Sequence, residues 1–505
     1  MKSSTISALQ TLHTWVGVMA GFALFIAFFA GALTVFHDDI ALWQNPPWRS
    51  TQQYDADGLI RKLVRVHPEV RDDFGIVLPK ARAPYAYWVA NGAAVFASAD
   101  TLDRPSADPT PGSLADFVLD LHEALGLPVV GLYLMGIVSV LYGIALLSGV
   151  LIHLPQLMSH LFALRAGHNL KRLWQDAHNV IGVLSLPFHV IFAVSGALLC
   201  LYGVTLAALG AVTLDNKFPA AVAQAVATAP GVRASGTAVN TLPAVELIAH
   251  AKRIALDSGV TTFDPDYLHF IHYGDRNAVV EVRGLSQHTL GTYGTVALSG
   301  RNGSLLANQV GSRRDLNGAV NSAIYGLHFG TFGGRPVQWL YFLLGLGGAF
   351  LFYSGNLLWI ESRRKRRHVA QPARTRVMAR ATLGICIGSC AGIAMSFMAV
   401  LAASIFGTGP DLPMKLAFFI TVIAACAYAS LRPIARAAIE LLGTTAFLYA
   451  ATATADLLQR GGVARTVECT NPHRVRSGSL RTRVGRGLRA TRARHEPTRT
   501  QRHNT

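Results

Sequence analysis

Charge is scarce in this chain, cysteine is scarcer, and any nucleotide-binding glycine pattern is missing. Only 14% of the 505 residues are charged against 51% apolar, a balance that takes the chain out of the soluble class. Five cysteines (Cys200, Cys386, Cys390, Cys426, Cys469) are scattered without a CxxC, which excludes a disulfide framework and a thiolate metal knuckle. No G-x-G-x-x-G fingerprint or flavin domain is present, which argues against a direct NAD(P)H site. The first apolar run lacks a small-x-small cleavage site and is longer than a signal-peptide core, so it is expected to stay as a helix. No matching pair of broken helices with polar midplane residues is visible, which argues against a transporter.

What the chain does have is a series of apolar runs of about 20 residues, the length that spans a hydrocarbon core of roughly 30 Å. The expected fold is a polytopic α-helical membrane protein. Transmembrane segments are expected at 8–37, 126–154, 175–207 and 327–361, with further apolar spans within 376–457 and a basic tail at 460–505. Long polar segments at 38–125 and 208–326 separate the first span from the second and the third from the fourth. Lys2, Arg165, Lys171, Arg172 and the RRKRR run at 363–367 mark the inner ends of the four spans, so both polar segments face outward.

Each polar segment is expected to form a small α+β module. In the second, PAVELIAHAKRIAL has helical periodicity, AVVEVRG alternates like a strand, and Asn302-Gly303 in TVALSGRNGSLLA signals a hairpin. DGLIRKLVRV followed by YAYWVANGAAVFA repeats that order in the first. The spans repeat as well. A shift of 165 residues carries His13 onto His178, Gly17 onto Gly182 and the GAL at 31–33 onto the GAL at 196–198. A shift of 206 carries the LH at 121–122 onto that at 327–328 and the SG at 148–149 onto that at 354–355. The chain therefore reads as a duplicated unit of helix, outward module and helix, forming a four-helix core about an axis along the membrane normal.

That symmetry pairs His13 with His178 at the inner rim and His122 with His328 at the outer rim. Taken singly, each is explained as an interfacial histidine. Four that superpose under the repeat favour ligation instead, and two imidazoles opposed in an apolar bundle suit haem. The glycines of the first span are explained by helix packing more readily than by a porphyrin. His189 lies about 11 residues into the third span with Leu24 as its counterpart. It could ligate a haem, line the path between two haems, or bond a neighbouring helix. His37 and His153, whose counterparts are Tyr202 and Trp359, are expected to be interfacial.

The motifs LHTWVGVMAGF, LHEALGL, DAHNVIGVLSLPFH and LHFGTFGG, separated by two α+β modules, resemble the PepSY-associated transmembrane family of bacterial iron-regulated inner-membrane proteins. That family includes ferric-siderophore reductases of the ferrioxamine-reductase (FoxB) type. The resemblance covers about residues 8–368. It implies a haem-b oxidoreductase, with two haems per chain, that passes electrons across the inner membrane. The acceptor would be a periplasmic ferric siderophore, and iron is released because Fe(II) suits oxygen-donor chelators less well. The cofactor-binding residues would be His13, His122, His178 and His328, with His189 in the family's PFH. Quinol or a separate reductase would supply the electrons. A rival function is a non-redox anchored regulator whose outward modules restrain a peptidase or sense a ligand. Tyr85, Tyr87, Trp88, Tyr267, Tyr273, His269 and His272 are acceptor-site candidates that strand packing explains equally well.

The last 40 or so residues are rich in Arg, Thr, Ser and Gly. A disordered tail accounts for them without a nucleic-acid partner. Three spans after RRKRR would leave this basic tail outside, against the positive-inside rule. Either one run is not a true span or the tail is not a native ending; a frameshift or truncation near 460 is the expected cause, which resequencing the gene checks.

Overall fold

A computed structural model describes residues 3–45, 55–79, 84–108, 112–154, 170–213, 227–286, 290–364 and 371–470. The chain opens with α1 (Ser3–Thr34) and the short α2 (His37–Gln44). A polar unit follows, made of α3 (Ala56–Val66), β1 (Asp73–Val77), β2 (Tyr85–Ala90), β3 (Ala93–Ala97) and α4 (Leu114–Ala124). Next come α5 (Val130–His153), α6 (Leu170–Leu184) and α7 (Leu186–Thr213). The second polar unit holds α8 (Ala244–Asp257), β4 (Phe263–Ile271), β5 (Val279–Ser286), β6 (Tyr293–Ser299), β7 (Leu305–Gln309) and α9 (Leu316–Phe329). Finally α10 (Gly334–Arg363) leads to α11 (Ala373–Ala381), a π-helical turn, α12 (Gly388–Phe406), α13 (Asp411–Leu431) and α14 (Ile434–Thr470).

Seven of the described helical segments are long and apolar enough to cross a bilayer, α11 and α12 counting as one. The protein is thus a multi-pass membrane protein. In the first four spans α1 packs on α5 and α10, α7 packs on α5, and α6 packs on α10, closing a ring. Backbones approach closely where α10 crosses α1: a Cβ on Gly345 would lie 3.0 Å from that of Ala32, and one on Gly348 2.3 Å from the Phe28 ring. Small residues permit such contact where no hydrophobic driving force separates helix from lipid. Gly384, Gly388 and Gly392 play the same part, facing Cys426, Ala425 and Phe418 of α13.

The third span departs from expectation. Instead of one helix over 175–207, two helices meet at Ser185, because Pro187 has no N–H to donate and its ring clashes with the carbonyl four residues back. His178 therefore sits on α6 and His189 on α7, and the 11-residue spacing does not place them on one straight helix. His122 and His328 stand just before their spans, as expected, on the separate helices α4 and α9, which end in left-handed residues, Leu125 (φ 57°) and Gly330 (φ 63°), before the chain turns into α5 and α10, so the fourth span begins at Gly334 rather than at 327. At the C-terminus α14 continues about ten residues into the expected tail, whose remainder, 471–505, lies outside the described residues.

The two polar units form one sheet. Its antiparallel order is β3-β2-β1-β4-β5-β6-β7, with β1 and β4 joined in register from Asp73↔Ile271 to Val77↔Tyr267. Each unit alone would expose an open edge at that seam, and pairing removes both. One core spans the seam: Leu59 and Leu63 of α3 and Leu247 and Ala251 of α8 cover Phe74, Trp88, Leu268, Phe270 and Val282. The Phe74 and Phe270 rings stack across the seam at 4.9 Å. Asp57 of α3 accepts from the Ala244 backbone N–H at 2.6 Å, so one unit caps the helix of the other. The hairpins turn at Asn91-Gly92 (φ 52° and 78°) and at Gly303 (φ 68°).

His269 clamps the opposite face. Its ring nitrogens meet Glu281 of β5 at 2.7 Å and Asp73 of β1 at 3.0 Å. Burial opposes the charged ring, but the bonds to Asp73 and Glu281 outweigh it and raise its pKa from 6.5 to about 9. A raised pKa gives stability that is complete below about pH 6.5 and lost as pH climbs through about 9. The midpoint of sheet unfolding, followed by fluorescence, should fall across that window by on the order of 2 kcal/mol. His269→Gln should shrink the fall; the same pH slope in both proteins would contradict the clamp.

Candidate cofactor sites at two facing histidine pairs

The bundle has a sheet end and a far end, and it holds a histidine pair near each. At the far end the rings of His13 and His178 face with centroids 6.3 Å apart and planes at 84°. At the sheet end His122 and His328 face at 6.0 Å and 51°. A transition-metal ion sits about 2.0 Å from an imidazole nitrogen, and the ring centre lies about 1.1 Å behind that nitrogen. Two imidazoles in trans across one metal thus place their centres about 6.2 Å apart. Both pairs match that separation.

Hydrogen bonds fix which nitrogen is available. His13 donates from Nδ1 to the Ala145 carbonyl at 2.8 Å, His178 to the Leu351 carbonyl at 3.1 Å, and His122 to the Ala27 carbonyl at 2.7 Å. His328 donates from Nδ1 to Ser195 Oγ at 2.7 Å, because the Ser195 hydroxyl spends its own proton on the Ile191 carbonyl. A carbonyl only accepts, so each neutral ring carries its proton on Nδ1 and keeps a lone pair on Nε2. That is the arrangement of a metal-ligating histidine, its tautomer and orientation set by the bond on the other side.

Glycine lets the rings reach those carbonyls. A Cβ on Gly149 would fall 3.0 Å from His13 Cε1, one on Gly355 3.3 Å from His178 Cε1, and one on Gly31 2.6 Å from His122 Nδ1. At the far end the match under the repeat is close, since the 206-residue shift that carries Gly149 onto Gly355 also carries Ala145 onto Leu351 and Ser148 onto Ser354. These acceptors and the cavity-lining pair Gln10 and Gln175 are legible in the repeat, though histidines alone do not reveal them.

Space separates the two sites. The far-end pair borders a cavity of about 490 Å³ lined by Gly17, Gly182, Tyr142, Phe352, His153 and Trp359 among others. That is in the usual range for a cofactor pocket. A Cβ on Gly17 would meet nothing within 4 Å, and one on Gly182 only Leu351 at 3.6 Å, which leaves a slot beside the rings. His153 and Trp359 thus line the cavity as well as standing near the interface. The cavity at the sheet-end pair measures only about 50 Å³, closed by Phe28, Phe188, Phe192, Phe329 and Tyr341. A haem fits both the nitrogens and the volume at the far end. At the sheet end it fits the nitrogens but not the space as packed. Among the described residues no group of three or more His, Cys, Asp or Glu could hold a bare metal ion.

His189 lies between the pairs, fully buried. Its Nδ1 is 2.5 Å from Tyr142 Oη on α5, and its Nε2 is 2.8 Å from Ser185 Oγ. Both ring nitrogens have protein partners, one of them Tyr142 of the neighbouring helix, so neither is left for iron, while its place between the pairs remains that of a residue lining the path. Rings of Phe28, Phe188 and Tyr142 lie 5.8–6.0 Å away. His37 bonds Asp116 at 2.8 Å outside the spans; burial works against its charge, yet Asp116 and Asp38 raise its pKa to about 9. Among the acceptor-site candidates, Trp88 is core and Tyr273 packs on the core. Tyr87, Tyr267 and His269 stack on the other face, and the Tyr267 hydroxyl bonds that of Tyr87 at 2.6 Å.

Tyr142→Phe strips His189 Nδ1 of its partner where no water reaches, and should cost about 1–3 kcal/mol of stability. Thermal unfolding in detergent checks this; an unchanged midpoint would show that the bond contributes nothing.

A family model, the PepSY-associated TM region, matches residues 10–362. The chain is also 27% identical, over 367 residues, to an uncharacterized protein of Pseudomonas aeruginosa, covering 68% of this chain and 88% of that one. With both histidine pairs inside the matched region, the chain belongs to the family of PepSY-associated transmembrane proteins.

Proposed function

We propose that this protein is a haem-b oxidoreductase of the bacterial inner membrane that passes electrons toward its sheet end, where a ferric siderophore is reduced. The observation that carries the proposal is the far-end pair: two imidazoles 6.3 Å apart, both protonated on Nδ1 by their bonding, beside a cavity of about 490 Å³. Haem held there by His13 and His178 would supply one-electron transfer.

The chain's own residues do the rest. His13 and His178 hold the ligand nitrogens, and Gly17 and Gly182 leave room for a flat ring. Phe28, Tyr142, Phe188, Phe192 and Phe352 fill the bundle between the pairs, packing at 4.3–6.3 Å and keeping that region dry. Phe192 in turn lies 4.9 Å from His328. A second haem between His122 and His328 requires those rings to give way. Lys171, Arg172, Arg363 and Arg364 at the far end support a cytoplasmic far end and a periplasmic sheet. With no nucleotide fingerprint, the donor is quinol or a separate reductase. An anchored regulator would leave four histidines of fixed tautomer without a task.

Proteoliposomes containing haem-loaded protein and an internal reductant should reduce an external ferric siderophore, read as Fe(II) captured by a chromogenic chelator. His13→Ala and His178→Ala should lower the rate at least a hundredfold, the scale set by removing an essential redox ligand. A haem-loaded protein that leaves the ferric complex untouched would contradict the proposal.

A further inference from the structure

Two polar groups of the far-end cavity are not used by its histidines. Asn356 Nδ2 and Trp359 Nε1 belong to residues that line it, are 2% and 8% exposed, and have no hydrogen-bond partner among the described residues. An unpaired buried donor is destabilising because it has given up its bond to water and gained none in return. Two of them in one wall mark a place where an acceptor belongs.

Their surroundings identify the acceptor's charge. On α10, Gly355 faces His178, Trp359 follows four residues later, about 6 Å nearer the far end, and Arg363 follows one turn beyond. The Arg363 guanidinium lies 4.2 Å over the Trp359 ring. Lys171 lines the cavity from α6, seven residues before His178. Two donors and two cations on one side describe a site for carboxylate. A b-type porphyrin is apolar around most of its edge and carries two carboxylates on one side.

The repeat sharpens the point. Under the shifts that superpose the halves, Asn356 falls on Val150, Trp359 on His153 and Lys171 on Ile6. The histidines, glycines and glutamines are symmetric and Trp359 is matched by another ring N–H, whereas Asn356 and Lys171 fall on apolar residues. A symmetric pair of ligands accepts a flat ring in either of two orientations; a one-sided anchor selects one.

We propose that α10 and α6 form the carboxylate anchor of the far-end site: Trp359 Nε1 and Asn356 Nδ2 donate to the porphyrin carboxylates, and Arg363 and Lys171 neutralise them. This rests on the haem proposal above. The test is porphyrin loss to excess apomyoglobin from protein reconstituted with protohaem or with its dimethyl ester, which keeps the iron and the ring but lacks the carboxylate charge. Wild type should release the ester at least tenfold faster than protohaem. Trp359→Phe and Asn356→Leu should each speed protohaem loss about tenfold, the equivalent of one hydrogen bond to a charged acceptor, and speed ester loss by much less, since an ester carbonyl accepts only a weaker, neutral bond. Variants that speed both equally would show that these side chains only pack, and would overturn the anchor while the haem proposal stands. Folded protein that takes up neither porphyrin would overturn the haem proposal itself.

Discussion

An N–H group inside a bilayer has no water to bond, and the imidazole N–H is no exception. Each of the four paired histidines meets this constraint by giving its Nδ1 proton to a neighbouring helix, three to a backbone carbonyl and one to Ser195. The rest of the site follows from that bond. It leaves Nε2 with a lone pair, it sets the direction of the ring, and it demands that the accepting helix come close, which for three of the rings is met by Gly31, Gly149 and Gly355. Stability and ligand geometry are here the same interaction.

Duplication explains the pairing, and departures from it explain the differences between the two ends. At the far end both rings use acceptors at matching positions, Ala145 and Leu351, with Ser148 and Ser354 beside them. At the sheet end the match is broken: His122 bonds a carbonyl of α1, whereas His328 bonds a hydroxyl of α7. The volumes diverge in the same sense, about 490 against 50 Å³, because aromatic rings fill the sheet end. His189 belongs to that filled region, held between Tyr142 and Ser185 rather than repeated.

Much of this was legible in the chain. The spans follow from run length, and the pairs of histidines from two shifts of the sequence that owe nothing to propensity. The break at Ser185 was signalled by Pro187 but masked by unbroken hydropathy on both sides. The separate helices of His122 and His328 were hidden for a similar reason, since a turn as short as that at Leu125 leaves no polar gap. The joining of the two α+β units across β1 and β4 could not be read at all: DFGIV and FDPDYLHFI are each too short or too irregular, with Pro265 at a bulge, to announce which edge they seek. Pairing between strands about 190 residues apart is a property of the folded chain.

The central claim is that His13 and His178 ligate one iron. The most direct measurement is the visible spectrum of detergent-purified protein, oxidised and then reduced, with haem quantified per chain in wild type and in the alanine variants of His13, His178 and His189. The account predicts a low-spin b-type spectrum with at least one haem per chain, that haem being lost in His13→Ala and His178→Ala and retained in His189→Ala. Folded wild-type protein without haem, or a spectrum indifferent to His13 and His178, would contradict it.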